Sequence, residues 1–345
     1  MQVNFLMMID SFFATRKKFQ VLVIGDVMID SYIRGTVSRI SPEAPVPILD
    51  VNLREYRLGG AANVALNLQK LGAQPFLCAV VGADSHGDDF FNLLEKESLS
   101  TSGICRSVER KTTIKHRIIG NRNQMLRVDE EDTFPLSAIE NEQFLAKIEH
   151  IFQTQNIAAV VFEDYDKGLL SQANIMQIVQ WAQQKNVVVT VDPKRCNFYH
   201  YNGVTLFKPN YKEFCDALEL KMDVFSLEEL QKKAKDFAVN HKIQKLLVTL
   251  SDKGLLLYDS LLDTSVYIPA QLIKVSDVSG AGDTVIATAT LGLLANLDCQ
   301  ELAWLSNLAG SIVCQFPGVV PLDIHVLKDE VSKSDCQTIK KEQTR

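Results

Sequence analysis

Seven cysteines are spread along the 345-residue chain without a CxxC pair, and six histidines occur without an HxxxH or HExxH pattern. An odd number of widely spaced cysteines argues against a disulfide framework or a zinc site and reads as reduced thiols of a cytosolic protein. The missing histidine spacings leave a histidine metal site with little support from sequence. Neither GxxxxGK[ST] nor GxGxxG occurs, so the P-loop and dinucleotide-binding readings lose their main evidence. Basic charge is in deficit, with 36 Lys and Arg against 42 Asp and Glu for a net charge of −6. With no basic stripe, nucleic acid is not an expected partner, and the short Arg16–Lys17–Lys18 cluster reads as a solvated helix end. No apolar run is long enough to span a bilayer. Val285 to Leu297 is short, carries Thr288 and Thr290, and reads as a buried helix, so no membrane association is expected. At the N-terminus the apolar part precedes the basic part and Asp10 interrupts it, which is the wrong order for a signal peptide and suits an amphipathic starting helix.

A hydrophobic fraction of 46% with 23% charged residues allows a large buried core. Continuous apolar runs end in acidic or turn residues four times: Val21–Ile24 before Gly25–Asp26, Ala158–Phe162 before Glu163–Asp164, Val187–Val191 before Asp192–Pro193, and Leu246–Leu250 before Ser251–Asp252. Runs of this kind suit strands buried on both faces. Helical stretches such as Gln172–Gln184 and Leu227–Val239 separate them, which predicts an α/β fold, a doubly wound and mostly parallel sheet flanked by helices. Ligands of such folds sit beyond the C-terminal ends of the strands. Residues 32–52 and 112–129 break the rhythm and read as strands of a small separate sheet, a lid over the site; the alternative is an antiparallel extension of the main sheet. One domain over residues 1–330 is expected, then a polar tail over 331–345 that follows a last helix.

The most informative segment is Asp277–Val278–Ser279–Gly280–Ala281–Gly282–Asp283–Thr284, which runs directly into the apolar helix at Val285. Gly280 and Gly282 let the backbone approach a ligand, and the helix N-terminus beyond them attracts anions. Asp283 in the first turn could be a cap alone. Capping does not account for two glycines bracketing one alanine with a second aspartate upstream. Phosphoryl transfer would use all of them, because it needs an anion site beside a base that takes a hydroxyl proton.

This segment closely resembles the C-terminal signature DTxGAGD of the PfkB (ribokinase-like) carbohydrate kinases, and Leu58–Gly59–Gly60–Ala61–Ala62–Asn63 resembles their N-terminal glycine signature. The resemblance runs from about Val21 to about Val320 and implies the ribokinase-like fold with its small β-sheet lid. It implies Asp283 as catalytic base, with Gly280, Ala281 and Gly282 as the anion hole. Gly59, Gly60, Asn63 and Asp30 would line the sugar site. Asn210 and Glu213, in Asn-x-x-Glu, would organise Mg²⁺ through water and the phosphates, the alternative for Glu213 being an exposed helix residue. Thr249, Ser251 and Gly254 stand where the family has TxGxxG near the nucleotide, with Ser251 in place of the first glycine. Asn307 is similar to a residue near the nucleotide's sugar or base, or is an ordinary helix position. ATP and Mg²⁺ are the implied cofactors, a monovalent cation is left open, and lids of this family often pair, so a homodimer is expected.

Three segments look like bacterial D-glycero-β-D-manno-heptose 7-phosphate kinases: GDVMIDSY with SRISPEAPVPIL, TTIKHRII with QMLRVDEE, and EDYDKGLL with VDPKR. In many bacteria such kinases form the N-terminal half of a bifunctional chain with a nucleotidyltransferase. The HxGH motif of that second half is missing, so a free-standing kinase or the kinase part alone is expected. Other expectations within reach are a kinase for ribose, fructose or fructose phosphate, and a sugar-phosphate sensor, which would have no need of Asp283. A phosphorylated substrate needs a cationic clamp. Arg39, Lys115, Arg127, Lys167, Lys194 and Arg195 are the candidates, each otherwise a surface charge. Lys194 stands out because it follows a strand end at the expected ligand edge, and Asp164 stands out for sugar hydroxyls for the same reason.

Overall fold

The computed structural model describes residues 11–15, 19–220, 226–271 and 274–342, with side chains described up to residue 333. The Arg16–Lys18 cluster lies outside the described residues. Among the described residues there are thirteen strands: β1 Gln20–Gly25, β2 Val27–Ile40, β3 Pro47–Gly60, β4 Gln74–Gly82, β5 Gly103–Ser107, β6 Ile114–Gly120, β7 Asn123–Glu130, β8 Ile157–Glu163, β9 Val188–Asp192, β10 Leu206–Phe207, β11 Lys245–Thr249, β12 Leu255–Asp259 and β13 Thr264–Ile268. Nine of them make the main sheet in the order β13-β12-β11-β10-β9-β8-β1-β4-β5, and four make a second sheet in the order β3-β2-β6-β7. The main sheet is parallel from β5 across to β11, with β12 and β13 antiparallel at one edge.

The strand sequences explain this arrangement. In β1, Val21 and Val23 enter one core while Leu22 and Ile24 enter the other, so period-two alternation delivers apolar side chains to both faces. The two cores are the helical layers on either side of the sheet. One takes the helices Ala61–Lys70, Ala281–Leu294 and Cys299–Val313; the other takes Ala138–Thr154, Gln172–Gln184 and Leu227–Asn240. Helix starts are marked by the expected side-chain caps: Ser171, Ser226 and Asp298 each accept a backbone N–H from the first turn. Ala281–Leu294 is apolar on nearly every side and is buried, as its sequence predicts.

Strand order reverses at β1, with β4 on one side and β8 on the other. The crevice beyond the C-terminal ends of β1, β8 and β9 is therefore the topological switch point. The chain leaves β1 through Asp26 and enters β2 at once. The first six residues of β2, Val27–Tyr32, are buried over the crevice, whereas β7 and most of β3 are exposed. The second sheet is a separate lid, longer than residues 32–52 and 112–129 because β2 starts at Val27 and β3 continues to Gly60. The last helix, Ile324–Glu342, crosses residue 330 without a break. Six cysteines among the described side chains are free, and no helix of the described residues is long and apolar enough to cross a membrane.

Candidate active site

Two helices aim their N-termini at the crevice. One follows Gly60 and carries Asn63 as its third residue; the other follows Gly280 and carries Asp283 as its third residue. Both glycines adopt positive φ, 60° and 79°. A Cβ on Gly60 would stand 2.5 Å from the Asp26 carbonyl oxygen, and one on Gly280 would stand 3.0 Å from Asn63 Nδ2. These turns need glycine, because the conformation disfavours a side chain and the space is already taken. Asn63 Nδ2 donates to Asp283 Oδ2 at 2.6 Å, and Asn67 Nδ2 donates to the Asn63 carbonyl oxygen at 2.9 Å. Thr284 Oγ1 and the Leu322 amide both donate to Asn67 Oδ1, at 3.0 and 2.9 Å. The carboxylate is thus held by a fully bonded network in the core. Asn63, expected to line the sugar site, is wholly buried and donates to Asp283.

Asp283 is 5% exposed. Burial pushes its carboxyl up to about 6, against the opposing hydrogen bond from Asn63, with nearby Asp192 adding to the rise. That placement makes it more basic than an ordinary carboxylate and still ionised at neutral pH. The Tyr165 hydroxyl lies 3.3 Å from Asp283 Oδ1 and can donate to it.

Behind the base, Glu163 at the end of β8 and Asp192 at the end of β9 bring carboxylate oxygens within 4.8 Å of Asp283 and of one another. Three buried carboxylates in one place are unfavourable unless countered. Lys208, 2% exposed, pairs with Asp192 Oδ2 at 2.7 Å, and Lys194 lies 3.9 Å from Asp192 Oδ1. Glu163 is pushed well above the ordinary carboxylate range by burial, then by Asp192 and Asp283. Both of its oxygens and Asp192 Oδ1 are buried without a hydrogen-bond partner. Hard oxygen donors left unpaired beside the Gly280–Gly282 turn fit a magnesium ion. Gly282 faces this group: a Cβ there would stand 3.4 Å from Lys208 Nζ and 3.5 Å from Asp192 Oδ2.

Glu213 closes a capping box with Asn210. The Asn210 side chain accepts the Glu213 amide at 2.8 Å, and Glu213 Oε2 accepts the Asn210 amide at 2.9 Å. Its other oxygen pairs with Lys194, so it is half-buried and engaged. Burial works against the Lys194 ammonium, yet Asp192 and Glu213 hold it above its ordinary range. The Lys194 Nζ also stands over the Tyr165 ring, 5.1 Å from its centroid. Asn210 bridges to Thr249 in parallel fashion, which sets the Thr249–Gly254 turn beside the Asn-x-x-Glu loop. Ser251 takes a positive φ of 56° where the family has glycine, and Gly254 packs against the Ile268 carbonyl. Asn307 donates to the Pro269 carbonyl oxygen at 3.0 Å.

On the lid side, Asp30 is buried and paired with Arg117. Burial raises its carboxyl while Arg117 opposes the rise. Gly59 leaves room for it, since a Cβ there would fall 2.4 Å from Asp30 Oδ2. Arg57 and Arg117 flank the Tyr32 ring at 5.0 and 5.4 Å, and the Tyr32 hydroxyl accepts the Val319 amide at 3.0 Å. Lys115 and Lys167 converge on Glu131 at 3.3 and 2.7 Å, while Arg39, Arg127 and Arg195 are exposed. Asp164, expected to meet sugar hydroxyls, is turned inward instead: it accepts from Asn197, Tyr201 and the Asp166 amide and is 1% exposed. Its neighbour Tyr165 reaches the site. Residues that motif reading missed are Glu163, Asp192 and Lys208 behind the base, Tyr165 beside it, and Arg57, Arg117 and Tyr32 at the lid. The only signal for the first two was their place at strand ends.

Comparison with known proteins bears on the family and the fold. Residues 18–324 match the pfkB family carbohydrate kinases. The bifunctional protein HldE of Helicobacter pylori strain HPAG1 is 38% identical over 294 residues, covering 85% of this chain and 62% of that protein. HldE of Methylobacillus flagellatus is 37% identical over 311 residues, covering 90% and 63%. The chain spans about three fifths of the length of these curated relatives. Phosphofructokinase-2 from Escherichia coli in complex with potassium shares the fold at a TM-score of 0.73 and 19% identity, covering 95% of this chain and 99% of that one. Ribokinase from Giardia lamblia does so at 0.70 and 16%, covering 91% and 99%. Identities of this size to the first two relatives, with a match over residues 18–324, show that the chain belongs to the pfkB family of carbohydrate kinases.

Proposed function

We propose that this carbohydrate kinase transfers the γ-phosphoryl group of ATP to the anomeric hydroxyl of D-glycero-β-D-manno-heptose 7-phosphate, giving the 1,7-bisphosphate for ADP-heptose and lipopolysaccharide core synthesis in the cytoplasm. The observation that carries this reading is the level of identity to HldE, 37–38%, against 16–19% for the phosphofructokinase and ribokinase that share the fold.

The proposed roles follow from the site. Asp283 accepts the hydroxyl proton, held toward the sugar by Asn63. The Gly280–Gly282 backbone and the helix N-terminus behind it receive the charge of the transferring group. Asp30, with Arg117 and Gly59, holds sugar hydroxyls on the lid side. Asn210 and Glu213 organise Mg²⁺ through water beside the unpaired oxygens of Asp192 and Glu163, and the ion when bound neutralises charge on the nucleotide phosphates. Thr249, Ser251, Gly254 and Asn307 face the nucleotide. Lys194, which reaches the base through the Tyr165 ring, is the proposed cation for the substrate's phosphate. The lid leaves Ile40, Leu53, Met125 and Leu126 exposed, and this apolar surface supports pairing of two copies into a homodimer.

ADP release across sugars and sugar phosphates tests the substrate. Heptose 7-phosphate should exceed ribose, fructose and fructose 6-phosphate in kcat/KM. Lys194→Ala should weaken use of the 7-phosphate far more than use of any unphosphorylated sugar, by about 2–5 kcal/mol for a lost buried charge partner. A higher rate on ribose or fructose would replace the heptose reading while leaving the kinase in place.

A further inference from the structure

Alternation along β2 and β6 sends Asp30 and Arg117 to one face of the lid and Ser31 and His116 to the other. On that second face the lid meets the helix Ser85–Lys96 of the main body. His86 in the first turn of that helix, His116 in β6 and Glu130 at the end of β7 converge there: one ring nitrogen of each histidine and one carboxylate oxygen of Glu130 lie within 4.8 Å of one another. Thirty positions in sequence separate the two histidines, so no local spacing reveals the pair.

We propose that His86, His116 and Glu130 bind a divalent transition-metal ion, Zn²⁺ by preference, and that this ion ties the lid to the body. Two imidazoles and one carboxylate are the donor set of open zinc sites, which keep a fourth position for solvent. Imidazole donors favour Zn²⁺ over Mg²⁺, so the ion would not be the one that accompanies the nucleotide. The geometry is close to what such an ion needs. His116 Nε2 and Glu130 Oε1 are 3.2 Å apart, and a tetrahedron with bonds of about 2.0–2.1 Å has edges of about 3.3 Å.

Each ring also has an outer partner. His116 Nδ1 lies 3.0 Å from Ser31 Oγ, and His86 Nδ1 lies 3.4 Å from Asp89 Oδ2. Such partners fix ring orientation and tautomer in metal sites. The Ser31 hydroxyl can both donate and accept. Without the ion it donates to Nδ1 while Nε2–H donates to Glu130. With the ion on Nε2, the proton moves to Nδ1 and is donated to Ser31. The ring changes tautomer, keeps its hydrogen bond to Ser31, exchanges the one to Glu130 for shared binding of the ion, and releases no net proton. Access is open, because the side chains of His86, His116 and Glu130 are 28%, 17% and 49% exposed.

The functional consequence follows from the neighbours in the chain. Ser31 adjoins Asp30, and His116 lies between Lys115 and Arg117. An ion joining His86 to β6 and β7 restrains the part of the lid that carries the proposed sugar contacts, so Zn²⁺ should slow turnover.

The test uses the full chain and Co²⁺ as a spectroscopic stand-in for Zn²⁺. Equilibrium dialysis and the visible absorption of bound Co²⁺ are measured on the wild type, His86→Ala and Glu130→Gln, with thermal melting to show that the variants fold. His86→Ala should bind one ion fewer per chain or bind it at least about tenfold more weakly, with loss of the tetrahedral Co²⁺ bands, and Glu130→Gln should weaken binding in the same direction. Kinase activity of His86→Ala without added Zn²⁺ should match the wild type, and its inhibition by Zn²⁺ should be relieved. The proposal is overturned if the wild type takes up no Co²⁺, or if His86→Ala and Glu130→Gln take it up as the wild type does.

Discussion

Asp283→Asn is the substitution in which site geometry and chemistry are most cleanly separated. The amide keeps the size of the carboxylate and an oxygen that can accept from Asn63 Nδ2, so the network through Asn67, Thr284 and Leu322 survives. What is lost is the proton acceptor. Loss of a general base lowers kcat by about 10²–10⁴-fold, which corresponds to about 3–5 kcal/mol of activation free energy. Stability should move the other way. The carboxyl titrates at about 6 in the folded chain and at about 4 in the unfolded one. Between those values the folded state holds the proton more tightly, so this group's effect on stability is most favourable below about pH 4 and declines as pH rises through the window. Above it the wild type carries the full cost of a buried charge, about 3 kcal/mol at about 1.4 kcal/mol per unit. At neutral pH the variant should therefore melt at or above the wild-type temperature while turning over far more slowly. The wild-type kcat should fall as pH drops through about 6, and the residual activity of the variant should lack that limb. Scanning calorimetry and a pH series of ADP release measure both. Activity within tenfold of wild type, or an acid limb that persists, would return Asp283 to the role of a helix cap.

Two further predictions concern the groups behind the base. Glu213→Gln should raise the Mg²⁺ concentration for half-maximal rate, read from a magnesium titration at saturating ATP; an unchanged titration would make the residue a capping-box member only. Lys208→Met should lower stability by about 3 kcal/mol in urea unfolding, because Asp192 is left as a buried charge with only the more distant Lys194 for compensation. A loss under about 1 kcal/mol would contradict the role of Lys208 in countering the buried carboxylates.

The sheet was legible because parallel strands buried on both faces must be apolar throughout. Val21–Ile24 and Ala158–Phe162 fall within β1 and β8, and the acidic residues after them lie at the ligand edge. The DVSGAGDT segment was legible because a tight anion-binding turn restricts both backbone and base within a few positions. Asn63 was legible as a motif member but not as the partner of Asp283, since the contact joins residues 220 positions apart through the packing of two helices. Asp164 misled for the converse reason: a carboxylate at a strand end can as easily tie down its own loop, and Asn197 and Tyr201 claim this one. Lys208 carried no signal of its own, because its pairing with Asp192 arises only when β10 brings it beneath Gly282. The histidine pair stayed hidden because its members belong to the body and the lid.

Transfer of a phosphoryl group to the anomeric oxygen of a phosphorylated heptose is tested most directly by the product. The chain is mixed with ATP, Mg²⁺ and D-glycero-β-D-manno-heptose 7-phosphate, and the reaction is followed by ³¹P NMR. A new phosphorus signal coupled to the anomeric proton is expected, growing in step with ADP and slowed by about 10²–10⁴-fold in Asp283→Asn. ADP formed without that signal, or no ADP above background, would contradict the proposed reaction.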